Sequence, residues 1–124
     1  MSVSISPPNA LLLVMDPTTG VVPESMDGKL VSSTASCIAV GTRPPSDGET
    51  KVSFRSYESP QPGLVKTYEG TIDIAGPTIA ICTVYGDTIL TKTVDCRKSK
   101  VTIWVDDTVE PTEIEVHVED VFVS

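Results

Sequence analysis

Lys100-Val-Thr-Ile-Trp-Val-Asp106 and, after a short acidic gap, Glu113-Ile-Glu-Val-His-Val-Glu119 alternate apolar and polar residues without a break. Side chains of a β-strand point to opposite faces in turn, so Val101, Ile103 and Val105 share one face, and so do Ile114, Val116 and Val118. A helix would need its apolar residues three and four positions apart, which neither stretch provides. Two half-buried strands are therefore predicted here.

The same period extends towards the N-terminus. Thr50-Lys-Val-Ser-Phe54, Thr71-Ile-Asp-Ile74 and Thr78-Ile-Ala-Ile-Cys-Thr-Val84 alternate, while Thr88-Ile-Leu-Thr-Lys-Thr-Val94 is rich in β-branched residues. Leu11–Met15 and Ser36–Val40 are apolar throughout, as expected of strands covered on both faces. Turn chemistry separates these runs. Asp16-Pro-Thr-Thr-Gly20, Pro44-Pro-Ser-Asp-Gly48 and Ser59-Pro-Gln-Pro-Gly63 join the fixed φ of proline to the freedom of glycine. Gly76-Pro77 and Gly86-Asp87 are short enough to close hairpins, and Glu24-Ser-Met-Asp-Gly28 is a candidate for one helical turn. About eight strands in 124 residues, with no internal repeat or linker, predict an all-β fold. The expected architecture is a single antiparallel β-sandwich domain spanning residues 1–124.

Composition narrows the function classes. Nine Lys+Arg against 17 Asp+Glu leave a net charge of -8, which disfavours nucleic acid and anionic membrane surfaces as partners. No apolar run nears the ~20 residues of a membrane span, and Met1-Ser-Val-Ser-Ile-Ser-Pro-Pro8 lacks the features of a signal peptide. Cys37, Cys82 and Cys96 cannot all pair within one chain and have no metal-ligand spacing. They read as buried thiols in a reducing, cytoplasmic setting. Cys96 alone has basic sequence neighbours, Arg97 and Lys98, of the kind that activate a thiol.

Catalytic chemistry finds little to work with. His117 is the only histidine and sits on the polar side of its strand between Glu115 and Glu119, where carboxylates would favour its charged form. No G-x-x-x-x-G-K-[ST] or G-x-G-x-x-G cradles phosphate, so no cofactor is expected. Asp106, Asp107 and Glu110 form an oxygen-rich turn of a kind that can hold calcium. Their spacing fits no EF-hand loop, however, and solvated turn acids are the simpler reading. The sequence predicts a non-enzyme with no catalytic, cofactor or metal site.

The charge pattern is the most informative feature. Residues 106–124 hold seven acids and no Lys or Arg, whereas the first 105 carry 10 acids and 9 bases. Glu113, Glu115 and Glu119 fall on one strand face, at ~6.6 Å per two residues, so they are expected to form one exposed carboxylate row. With Asp106, Asp107 and Glu110 at its end, that row is a candidate docking surface for a basic protein, or else a solvated face that guards a sheet edge. Trp104 points away from Val101, Ile103 and Val105. It is core if that face is covered and an interface anchor if it is open.

The order of elements also resembles a known family. Ser4-Ile-Ser6 leads into an apolar strand at Leu11–Asp16, and an irregular stretch runs to residue 35. Strands then follow at Ser36–Gly41, Val52-Ser-Phe54, Tyr68–Ile74, Ile79–Val84 and Val101–Trp104. This succession resembles the bacterial competence-associated DNA-nuclease inhibitor family, small acidic β proteins that bind and block a nuclease. The resemblance implies an inhibitor or immunity-type function; it carries no residue role across, and the 5% aromatic content is low for such inhibitors. The alternative function is a structural domain that forms homo-oligomers through a sheet edge.

Overall fold

The computed structural model describes residues 2–55, 60–94 and 97–120. Ten strands follow one another: β1 (Ser2–Ile5), β2 (Leu11–Met15), β3 (Val31–Ser33), β4 (Cys37–Gly41), β5 (Thr50–Arg55), β6 (Val65–Asp73), β7 (Thr78–Cys82), β8 (Thr88–Thr93), β9 (Lys98–Val105) and β10 (Glu113–Asp120). Single 3₁₀ turns at Pro8–Ala10 and Pro45–Asp47 are the only helical elements among the described residues. No helix there is long and apolar enough to cross a membrane.

The strands form two five-stranded sheets, ordered β1-β5-β10-β9-β6 and β3-β4-β2-β7-β8. The two long alternating runs are neighbours, with Val116 opposite Ile103 and Val118 opposite Val101. Their apolar faces meet Leu12, Val14, Ile38, Val40, Ile79 and Ile81 of the other sheet in one core that also takes in Val52, Phe54 and Ile72. Burial of these branched chains removes apolar area from water at about 25 cal/mol per Å², which makes this the main stabilising contact. The expected sandwich is therefore the observed one, with two further short strands, β1 and β3.

All pairs are antiparallel except one. β10 runs parallel to β5, with Glu115 in register with Ser53 and His117 with Arg55. Through β9, which is antiparallel to both β10 and β6, strands β5 and β6 also point the same way. The link between them therefore starts at one end of the sheet and finishes at the other, unlike a hairpin.

The second sheet is covered on both sides. Leu13, Met15, Cys37, Ala39, Ala80 and Cys82 form a buried cluster on its outer face, with Met26 packed against it. The stretch after β2 supplies this cover. Gly20 lies so close to Met15 that a Cβ there would sit 2.6 Å from the methionine Cβ. Near Met26 the chain reverses in a tight turn rather than the candidate helical turn. Asp27 and Gly28 both have positive φ (51° and 72°), and the Lys29 N–H donates to the Met26 carbonyl at 2.8 Å. Asp-Gly suits that left-handed geometry and ends any helical tendency of residues 24–28. Gly76-Pro77 likewise closes no hairpin. It carries the chain from β6 in one sheet to β7 in the other.

Asp16 ties that crossing to the end of β2. Its Oδ2 accepts the N–H groups of Ala75 (3.1 Å) and Gly76 (2.8 Å), and its Oδ1 accepts the Thr18 N–H and hydroxyl. Burial alone would push this carboxyl up, but the hydrogen bonds outweigh it and hold the pKa at about 2.

Candidate partner-binding surface

The outer face of the first sheet carries the polar half of each alternating strand. Lys51 and Arg55 of β5, Glu113, Glu115, His117 and Glu119 of β10, Lys100 and Trp104 of β9, and Lys66 and Glu69 of β6 all belong to it. Acids segregated in sequence thus meet bases supplied by neighbouring strands. Glu113 is in register with Lys51, and Glu119 with Lys100.

Glu115 departs most from expectation. It is fully buried, not a member of an exposed row. Its Oε1 accepts a hydrogen bond from His117 Nε2 at 2.9 Å and lies 3.4 Å from Arg55 Nε, while its Oε2 accepts the Gln61 N–H at 3.4 Å. The Gln61 amide also donates to Glu113 at 3.1 Å and accepts from an Arg55 terminal nitrogen at 3.0 Å. The correction has a topological cause. Gln61 belongs to the link that returns from β5 to β6, and it lies over Glu115. Parallel pairing meanwhile brings Arg55 beside β10. A carboxylate enclosed in this way must be matched by charge and hydrogen bonds, and it is.

Beside it lies a shallow groove of about 230 Å³ lined by Trp104, His117, Thr102, Lys66, Lys100 and Glu119. Trp104 is half-buried, its ring centroid 6.0 Å from that of His117 at a 49° tilt. It is therefore outside the sandwich core, yet shielded on one side. Lys100 pairs with Glu69 at 2.7 Å, and Lys66 with Glu69 at 3.0 Å. The two lysines hold the Glu69 carboxyl below its ordinary range. Lys100 is held above its own, chiefly by Glu69 and more weakly by Glu119.

Asp106, Asp107 and Glu110 lie in the exposed β9–β10 loop. Asp106 turns its carboxylate back on the loop, with Oδ1 accepting the Thr112 and Glu113 N–H groups at 2.9 Å and Oδ2 the Thr112 hydroxyl. Burial raises the Asp106 carboxyl, but these bonds prevail and leave it below its ordinary value. Asp107 caps the tip through the Glu110 and Val109 N–H groups at 3.0 and 2.7 Å, which lower its carboxyl too. Exposed Asp47 and Glu49 stand on the neighbouring segment, which the Arg43 N–H joins to the Pro111 carbonyl at 3.2 Å. Among the described residues, no three His, Cys, Asp or Glu side chains gather as a metal site.

Glu113 and Glu119 lie on this face and Asp106, Asp107 and Glu110 at its end, where the alternation puts them, and of the two readings of Trp104 the structure shows the half-open face rather than the core. Alternation along the chain does not reveal Arg55 and Gln61 as partners of Glu115. The outward parity of Lys51, Ser53 and Arg55 was the available signal for Arg55, but nothing local announces a parallel neighbour. Cys37 and Cys82 are buried free thiols, as expected, and Cys96 lies outside the described residues.

Fold and surface together define a two-sheet, ten-stranded β-sandwich with a charge-paired outer face and an acidic loop at one end. The chain is similar to ComJ of Bacillus subtilis, an inhibitor of the DNA-degrading activity of NucA. The TM-score is 0.64 at 14% identity, covering 98% of this chain and 96% of that one. At that identity the likeness establishes the fold, and it meets the resemblance in element order at that level. No protein-family model and no curated protein matches the sequence.

Proposed function

We propose that this chain is a non-enzymatic protein-binding module that blocks a basic partner such as a DNA-degrading nuclease. The observation that carries this reading is the surplus of exposed acids at one end of the sandwich. Asp107 and Glu110 project from a loop braced by its own backbone bonds, with Asp47 and Glu49 nearby, while the strand acids are matched by Lys51, Arg55 and Lys100. A nuclease surface that holds phosphates is basic, so an end of this charge is steered towards it and competes with DNA for it. Trp104, half-open beside the Lys66–Glu69–Lys100 chain, is the anchor we assign on the adjoining face. Fold likeness to a nuclease inhibitor supports the same reading.

The test is titration of the purified chain into a nuclease encoded beside its gene. Stoichiometric loss of DNA cleavage, relieved by salt, is expected. Undiminished cleavage at excess protein, with no complex on a sizing column, would reject the reading.

A further inference from the structure

Val21, Val22, Val65, Tyr85 and Val109 are the large apolar side chains that stand exposed among the described residues. Two of them share one end of the β6–β9 pair. Val65 opens β6 opposite Val105, the last residue of β9, and Val109 lies four residues further on, in the β9–β10 loop. They are 49% and 77% exposed. Trp104 is at the same end, on the outer face and in register with Lys66. The other three lie elsewhere. Val21 and Val22 belong to the opposite end, where the Val21 N–H donates to Ser36 Oγ at 2.9 Å beside the start of β4. Tyr85 is on the β7–β8 turn, and β8 packs near β1 and β5, across the first sheet from β6.

Solvation does not explain Val109. A turn that only kept carboxylates in water would use polar residues or glycine, since β-branched side chains favour pleated strands. Here the valine is held out instead. Its N–H donates to Asp107 Oδ1 at 2.7 Å. The loop then returns through buried Pro111, whose carbonyl accepts the Arg43 N–H at 3.2 Å and the Thr50 hydroxyl at 3.3 Å. A side chain presented on so braced a loop loses little freedom on binding.

The setting specifies the occupant. Val109 stands between exposed Asp107 and Glu110, so a surface that closes on it must bring positive charge to both sides of an apolar recess. An apolar centre inside a polar rim is the usual anatomy of a protein interface.

We propose, resting on the reading of this chain as a blocker of a basic partner, that Val65, Trp104 and Val109 form its apolar contact. They seat in an apolar recess that lysine and arginine frame on that partner. The acids guide the encounter, and the three apolar side chains hold the complex once it has formed.

The experiment follows association and dissociation of the full chain with the nuclease encoded beside its gene. Parent, Val109→Thr, Val65→Thr/Val109→Thr and the control Tyr85→Ser are compared. Threonine keeps the branched shape of valine and replaces a methyl by a hydroxyl. Val109→Thr should leave the melting temperature and the on-rate unchanged and raise the off-rate about tenfold, the loss expected when burial of a valine is forfeited. The double variant should dissociate faster still, and Tyr85→Ser as the parent does. A parent complex whose off-rate is the same in both valine variants overturns this inference and leaves the blocker reading standing. No complex with the parent rejects that reading, and the inference with it. An equal rise for Tyr85→Ser would also contradict the inference, because the contact would then not be confined to the β6–β9 end.

Discussion

Glu115 and His117, two residues apart on one face of β10, meet at 2.9 Å between Oε1 and Nε2. A carboxylate can only accept, so Nε2 carries the proton, and the imidazole is pinned with its ring beside Trp104. Arg55 closes the group from the parallel strand β5. The cluster is a structural fastening under the outer face. Acids for a partner must come from elsewhere.

Stability should distinguish the two kinds of acid. Glu115→Lys sets a second cation against Arg55 in a closed site and should cost about 3–5 kcal/mol, as for other broken buried pairs. Asp107→Lys, on an exposed loop, should cost far less, because it removes only the caps on two loop N–H groups. Urea unfolding at neutral pH measures both. Equal losses would contradict the burial of Glu115.

Asp16 should give the fold an acid limb. Its folded pKa of about 2 lies below the ordinary 3.8, so the unfolded chain binds the proton more readily. The stabilisation, about 2 kcal/mol, is therefore present above pH 4 and lost as pH falls from 4 to 2. Unfolding of the parent and of Asp16→Asn across pH 2–6 should show this slope in the parent and a flatter curve in the variant.

Thiol chemistry should follow burial. Cys37 is pushed up to about 12 by desolvation and by Cys82, and Cys82 is raised by its own burial. They lie on β4 and β7, on either side of β2 and opposite Met15 and Leu13 respectively, two strand spacings apart. That is about 10 Å or more, beyond disulfide reach. Both should stay unlabelled by a thiol reagent in native buffer and react on unfolding, and reductant should leave the melting temperature unchanged. Rapid native labelling of Cys37 would contradict this.

Trp104 provides a separation of roles. Trp104→Ala should leave the fold largely intact while weakening the partner complex by about 2 kcal/mol or more, chiefly through a faster off-rate. Val105→Ala, one residue on but in the core, should instead cost about 2 kcal/mol of stability. Calorimetric melting paired with binding kinetics reads both effects.

The sandwich was legible because alternation at Val101–Val105 and Ile114–Val118 leaves one choice of inward face. The unbroken apolar runs at Leu11–Met15 and Cys37–Val40 likewise announced burial on both sides. Charge counted along the chain puts Glu115 in an exposed row, whereas a sheet sums charge across strands and buries it. Lys51 and Arg55, some 60 residues before their partners, enter only through the parallel β5–β10 pair. Cover over Glu115 depends on the returning β5–β6 link, which no local pattern encodes. Asp16 was read as part of a turn, and its hold on Ala75 and Gly76 spans about 60 residues of chain. The end-loop acids needed no such knowledge, since a turn between two paired strands is exposed wherever the strands go.

The central claim is that a basic partner meets the loop acids. Its most direct measurement is the association rate of a nuclease encoded beside this gene with Asp107→Lys/Glu110→Lys, taken at two salt concentrations against the parent. Complementary charge acts mainly through encounter, so the double variant should associate about tenfold or more slowly at low salt, with a flatter salt dependence. A matched reversal at Asp73 and Asp87 should change the rate far less. An unchanged on-rate and salt slope for the loop variant would contradict the account.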